Sequence, residues 1–244
     1  MRKINRDLGI FTYNGKSSKD FGIIVEKLPS LSRPERQHDI FRVPGRNGDI
    51  IQQYNAYENI TITYEVWFAN NNIDSMTAQQ VARQISAWLY NSNGYCRLED
   101  DFEADIFRLA YFVGDLDIVN NLTLYGSAKI SFNCRPERYY KSAEEWIINP
   151  TVLDNYSEFE AKPLIKVEGS GNVQFSIQGQ TVRINNLVDY VYLDCETQDC
   201  YRQLSENRNS LMIGDFPTLK VGTNNVIIGT GITNLNIQPR YWTL

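Results

Sequence analysis

Five carboxylates crowd one short stretch: Glu99, Asp100, Asp101, Glu103 and Asp105. Two carboxylates facing each other across a cleft are what glycoside hydrolysis requires, one as acid and one as base or nucleophile. Neighbouring carboxylates on a turn, however, repel one another and seek water. The expectation is therefore a solvated acidic loop, and no catalytic residue is assigned. His38 is the only histidine, which removes most hydrolase triads and every multi-histidine metal site. Cys195 and Cys200 lack the second pair or the histidines of a zinc site. Together with Cys96 and Cys134 they are too dispersed for a disulfide framework. Buried, reduced thiols are expected, with no metal and no cofactor. Gly169-Ser170-Gly171 and Gly229-Thr230-Gly231 look like fragments of phosphate loops, but neither opens a helix, so both read as hairpin turns. The 15 Tyr, 11 Phe and 4 Trp include rings able to stack on sugars, although most belong to cores or subunit contacts.

The elements that carry these residues are mostly short strands. In the first half they fall at Gly9 to Tyr13, Phe21 to Leu28, Asp39 to Val43, Asn59 to Phe68, Cys96 to Glu99, Phe107 to Val113 and Leu122 to Cys134. From Ile60 to Phe68 the even positions are apolar or aromatic and the odd ones mostly polar, as one dry and one wet face require. Between strands, Pro44-Gly45-Arg46-Asn47-Gly48-Asp49 contains an Asn-Gly step that suits a tight, projecting hairpin. Arg46 and Asn47, presented on that turn, are the candidate interface residues. One helix interrupts the pattern. Thr77 and Gln80 form a capping-box start, Val81, Ile85, Trp88 and Leu89 form one apolar stripe, and Asn91, Asn93 and Gly94 supply the stop.

The strand ending at Cys134 runs into Arg135-Pro136-Glu137-Arg138-Tyr139-Tyr140, where Pro136 removes a backbone donor. A domain boundary is placed there, giving residues 1–140 and 141–244. After Pro163 the rhythm is all β: Leu164 to Glu168, Val173 to Ile177, Thr181 to Ile184, Tyr190 to Cys195, Leu219 to Val221, Asn225 to Ile228 and Leu235 to Gln238. Strands at this spacing suggest an antiparallel, jelly-roll-like sandwich. The fold class expected is mainly β, in two domains of ordinary size for a chain of 244 residues.

The net charge of −5 argues against nucleic-acid recognition, which needs a surplus of Lys and Arg on one face. Met1 to Leu8 starts positively but no continuous apolar segment follows, and no later run spans a bilayer. The chain is expected to stay where it is made, away from membranes.

Several segments together resemble a known family. They are Phe11-Thr12-Tyr13-Asn14-Gly15-Lys16 with Asp20-Phe21-Gly22, Val43 to Gly48, and Ala128 to Tyr140. Gly214 to Leu219, Gly222-Thr223-Asn224-Asn225 and Pro239-Arg240-Tyr241-Trp242 follow in the same order. This succession is similar to the distal tail protein family of long non-contractile-tailed bacteriophages and prophages of Gram-positive bacteria. The resemblance implies an N-terminal tail-tube-like β-sandwich with one helix and a β-hairpin, followed by a galectin-like β-sandwich. It further implies a homo-hexameric ring at the distal end of the virion tail, assembled in the host cytoplasm. Such a hub joins the tail tube protein to a tail-associated lysin or tip protein, with the tape measure protein and a receptor-binding protein as further contacts. The chain lacks the long insertion that some relatives carry in the outer domain, which favours a simple tip. A net negative charge suits a conduit, because a basic lumen would hold the genome. A carbohydrate-binding accessory protein and a glycoside-active enzyme are the competing readings.

Overall fold

The computed structural model describes residues 9–30, 32–68, 78–114 and 127–244. The chain divides into two compact units, Met1–Arg138 with Leu244, and Tyr139–Thr243. The described residues are mostly strand, with one α-helix.

In the first unit the strands are β1 (Phe11–Tyr13), β2 (Lys16–Ser17), β3 (Ile23–Val25), β4 (Arg36–Phe41), β5 (Ile50–Tyr57) and β6 (Ile60–Phe68). After helix α1 (Ala78–Tyr90) come β7 (Cys96–Asp100), β8 (Ile106–Val113) and β9 (Ser127–Tyr140). The main sheet runs β2-β1-β7-β8-β9-β6-β3, while among the described residues β4 and β5 pair only with each other. Alternation is what sets the register of β6 on β9: Ile62 faces Phe132 and Tyr64 faces Ile130, and all four are buried. Helix α1 lays Val81, Ile85, Trp88 and Leu89 into the same core. Trp88 fixes the docking by donating its Nε1 hydrogen to the Tyr13 carbonyl at 2.8 Å. Phe11 stacks between Tyr64 and Trp88, with centroids at 4.9 and 5.6 Å, so this core is held largely by aromatic packing.

Two sequence expectations change here. Pro136 does not end its strand, because β9 continues to Tyr140. Pairing with β6 stops at Cys134, so the hydrogen that proline lacks falls beyond that ladder. The stop signal after α1 is also displaced: of Asn91, Asn93 and Gly94 only Gly94 takes a positive φ, at 80°, and it turns the chain into β7. The capping residue Thr77 and the stretch from Leu122 to Gly126 lie outside the described residues.

The second unit contains β10 (Ile147–Ile148), β11 (Val152–Asn155), β12 (Leu164–Ile177), β13 (Gln180–Asp194), β14 (Asp199–Tyr201), β15 (Met212–Ile213), β16 (Gly222–Ile228) and β17 (Ile232–Gln238). Its sheet runs β10-β17-β12-β13-β14, with β15 on β13 and β16 on both β12 and β11. The expected break at Gly169-Ser170-Gly171 is absent, since β12 passes through it as one strand of 14 residues, and β13 likewise passes through Asn185-Asn186 over 15 residues. A register shift between Gly171 and Val173 bends the pair instead, which lets two long strands curl around one core. The two-residue turn that joins them is Gln178-Gly179, both at positive φ, 49° and 79°, the type I′ geometry favoured by strand twist. Gly169 is needed for a different reason. A Cβ there would sit 2.2 Å from the Gly231 carbonyl oxygen, so the Gly229 to Gly231 segment passes against β12 backbone to backbone.

Candidate assembly surface

The acidic stretch is not simply a solvated loop. Asp100 ends β7 and is buried, facing Arg108 of β8, whose side chain is fully inaccessible. Asp100 Oδ1 accepts the backbone hydrogens of Phe102 and Glu103, both at 3.0 Å, and so caps the turn. Asp100 Oδ2 accepts from Tyr64 at 2.8 Å and lies 3.4 Å from Arg108 NH1. Glu103 bonds the other guanidinium nitrogen of Arg108 and accepts from Arg138 NH1 at 2.8 Å. Glu99 pairs with Arg97. Asp101 and Asp105 alone are exposed. Repulsion among the carboxylates is thus relieved by arginines rather than by water, a solution the sequence hides because Arg138 lies far along the chain. Glu99, Asp100 and Glu103 are tied into structural ion pairs, with Asp100 closed off from any substrate.

His38 is exposed on β4, with Nδ1 2.9 Å from the Arg36 carbonyl. The four cysteines are free thiols, with Cys134, Cys195 and Cys200 buried and Cys96 partly so. Burial pushes the Cys134 and Cys195 thiols up to about 12 and Cys200 to about 11, which suppresses the nucleophilic thiolate.

The β4–β5 hairpin is where chemistry meets an open surface. Its residues are nearly all exposed, and no other described strand pairs with it. Ile40 pairs with Ile51 on one face, 54% and 57% exposed. Phe41 pairs with Ile50 on the other, 49% and 39% exposed. Toward its base the hairpin becomes polar, with Arg36 reaching Gln53 and Tyr57 and with Tyr54 donating to Asp39 at 2.7 Å. A two-stranded hairpin is marginal in water by itself, and strands apolar on both faces are the kind found covered on both sides. Two free edges add unpaired backbone groups.

The tip does not make the two-residue Asn-Gly turn expected from sequence. Eight residues separate Phe41 from Ile50, and the first bend is a Pro44-Gly45 turn closed by Arg46 N to Val43 O at 3.2 Å, with Gly45 at φ 80°. Gly48, at φ 81°, makes a second bend while Asn47 stays at negative φ. Arg46 and Asn47 are both exposed at this tip, and among the described residues neither side chain has a hydrogen-bond partner. Sequence reading found the tip but missed the apolar pairs behind it. The signal was present, because adjacent Ile40-Phe41 and Ile50-Ile51 break the alternation of a half-buried strand.

Comparison with known proteins adds two findings. The family model described as phage tail protein N-terminal domain matches residues 7–135. The crystal structure of the SPP1 Dit protein (gp 19.1), described as a paradigm of the hub adsorption apparatus in Gram-positive-infecting phages, superposes with a TM-score of 0.68 at 12% identity. That match covers 95% of this chain and 98% of the other, which establishes a common fold. No curated protein matches the chain in sequence.

Proposed function

From a chain that belongs to the phage tail protein N-terminal domain family, we infer a ring-forming hub at the distal end of a tail. The observation that carries this reading is the β4–β5 hairpin, apolar on both faces and, among the described residues, open at both edges. A rotationally repeated contact between identical chains covers such an element once per subunit and leaves none unpaired when the ring closes. A homo-hexamer with the hairpins toward the neighbouring subunit or the tail tube protein, and with the opposite side receiving a tail-associated lysin or tip protein, is the arrangement proposed. It is supported by the near full-length likeness to a protein described as a hub. Arg46 and Asn47 would then lie at a subunit or tube contact. The hub works by geometry and leaves cell-wall chemistry to its partner, since Glu99, Asp100 and Glu103 are committed to arginines.

Native mass spectrometry with negative-stain imaging tests this directly. The wild-type chain is expected to form hexameric rings, and Ile40→Asp with Ile51→Asp is expected to give a folded monomer of unchanged melting temperature. A wild-type chain that stays monomeric at high concentration, or a double variant that still closes rings, rules the reading out.

A further inference from the structure

The second unit carries an aromatic and polar face that hairpin assembly does not use. Asn236 of β17, Lys166 of β12, Tyr192 of β13 and Tyr201 of β14 stand opposite one another across the sheet, and Asn234, Glu168 and Tyr190 form the next row. Their strand neighbours Ile165, Val167, Val191, Leu193, Leu235 and Cys200 are buried, so these rows point away from the core. The rings adjoin one another: Trp146 lies 6.3 Å from Tyr192, Tyr190 lies 5.8 Å from it, and Tyr201 stacks on it at 5.5 Å. Trp146 is 41% exposed.

The polar groups between the rings are locked together. Glu168 takes Lys166 on one oxygen at 2.5 Å and Asn234 on the other at 2.8 Å, while Asn149 donates to Asn234 Oδ1 at 3.3 Å. Lys166 Nζ sits 5.0 Å from the Tyr190 ring centre. Arg202 lies over the same ring, 5.5 Å from its centre, and pairs with Asp189 at 3.0 Å. Asn236 Oδ1, beside Lys166 in the row, has no partner among the described residues.

Each cation here has its own carboxylate, so the face presents no net charge to attract a phosphate polymer or an acidic peptide. Planar carboxylate and amide groups fixed by one another recognise neighbouring hydroxyls at small entropic cost, and ring faces pack on the C–H side of a sugar. The core of a protein interface would instead expose a continuous apolar centre, whereas the tyrosines here are half-buried among polar groups. The geometry points to a saccharide-binding face for uncharged pyranose units, with Trp146 and Tyr192 as the stacking platform and Lys166, Glu168 and Asn234 reading the hydroxyls. This activity goes beyond ring formation and does not depend on it.

Full-length chain is titrated with neutral oligosaccharides of glucose, galactose and N-acetylglucosamine, followed by saturation-transfer NMR and calorimetry. At least one is expected to bind at millimolar affinity or better, with Trp146→Ala and Tyr192→Ala each weakening it about tenfold or more. Trp146→Phe should retain most binding, Glu168→Gln should weaken it without altering the melting temperature, and Tyr111→Ala, an exposed ring in the first unit, should change nothing. Absence of binding by all three sugars at about 10 mM, or binding untouched by Trp146→Ala and Tyr192→Ala, overturns the assignment. Failure of those two variants to form tails, in a chain that binds no sugar, identifies the face as a protein contact and equally overturns it. Ring mass measured on the same samples keeps the two functions apart.

Discussion

The Tyr64 hydroxyl donates to Asp100 Oδ2 at 2.8 Å, joining strands β6 and β7 beneath the sheet of the first unit. Burial, reinforced by the Asp100 charge, holds the Tyr64 phenol well above its ordinary pKa, so it remains a donor throughout the accessible pH range. Arg108 NH1 stands 3.4 Å from the same oxygen with no exposed side-chain surface. Arg108→Ala strands a buried carboxylate and is expected to cost about 3–5 kcal/mol, measured by urea unfolding. Arg108→Met combined with Asp100→Asn should recover much of that loss. A single variant as stable as wild type would show that the pair contributes nothing.

In the second unit Asp194 receives Arg240 on both oxygens, at 2.8 and 3.2 Å, and caps the Glu196 amide at 3.0 Å. Burial pushes its carboxyl up, but the Arg240 hydrogen bonds and charge outweigh this and leave the pKa lowered. A lowered folded pKa means stability that is complete above the unfolded value of about 3.9 and lost as pH falls through the folded one. Asp194→Asn should therefore destabilise the chain by about 1–3 kcal/mol at pH 7, with the gap to wild type narrowing below about pH 4. Melting curves across this range check it; a gap independent of pH would assign the loss to packing.

Thiol labelling should divide the cysteines. With Cys134 and Cys195 raised to about 12 and Cys200 to about 11, native protein at pH 8 is expected to react rapidly at Cys96 alone. The other three should label only after unfolding, and mass mapping of the alkylated peptides reads this out. Rapid native labelling of Cys134 would contradict its burial.

Charge reversal at the hairpin tip, Arg46→Glu, is expected to leave folding intact while impairing tail joining, because the exposed side chain has no hydrogen-bond partner among the described residues. Complementation of infectious particles measures the effect. Normal particle yield would remove the tip from any contact.

Residues 1–140 are proposed to suffice for ring formation, in line with the compact unit Met1–Arg138. The fragment should be soluble and ring-competent at high concentration, as sedimentation can show. Aggregation under conditions where the whole chain is soluble would oppose a separable first domain.

What could be read in advance was whatever depends on local period. The alternation of Ile60 to Phe68 gave β6, and the stripe through Val81, Ile85, Trp88 and Leu89 gave α1. What escaped depends on partners distant in the chain. Gly169 resembles a turn residue until Gly231 is found against it, and Asp100 resembles a surface acid until Arg108 and Tyr64 close over it. In the hairpin the tip was legible from Pro44, Gly45 and Gly48, but Ile40 with Ile51 and Phe41 with Ile50 acquire meaning only once paired across two faces. The aromatic rows of Tyr190, Tyr192 and Tyr201 come from two strands, and only their register makes them one surface.

The same hairpin makes the unassembled chain its own most hazardous form. With isoleucine on both sides, phenylalanine on one, and two backbone edges unpaired among the described residues, it is open to pairing with extended segments of other chains. Chains in which the hairpin stays uncovered are therefore drawn toward disordered precipitate, and solubility during overproduction should rise in the Ile40→Asp, Ile51→Asp double variant.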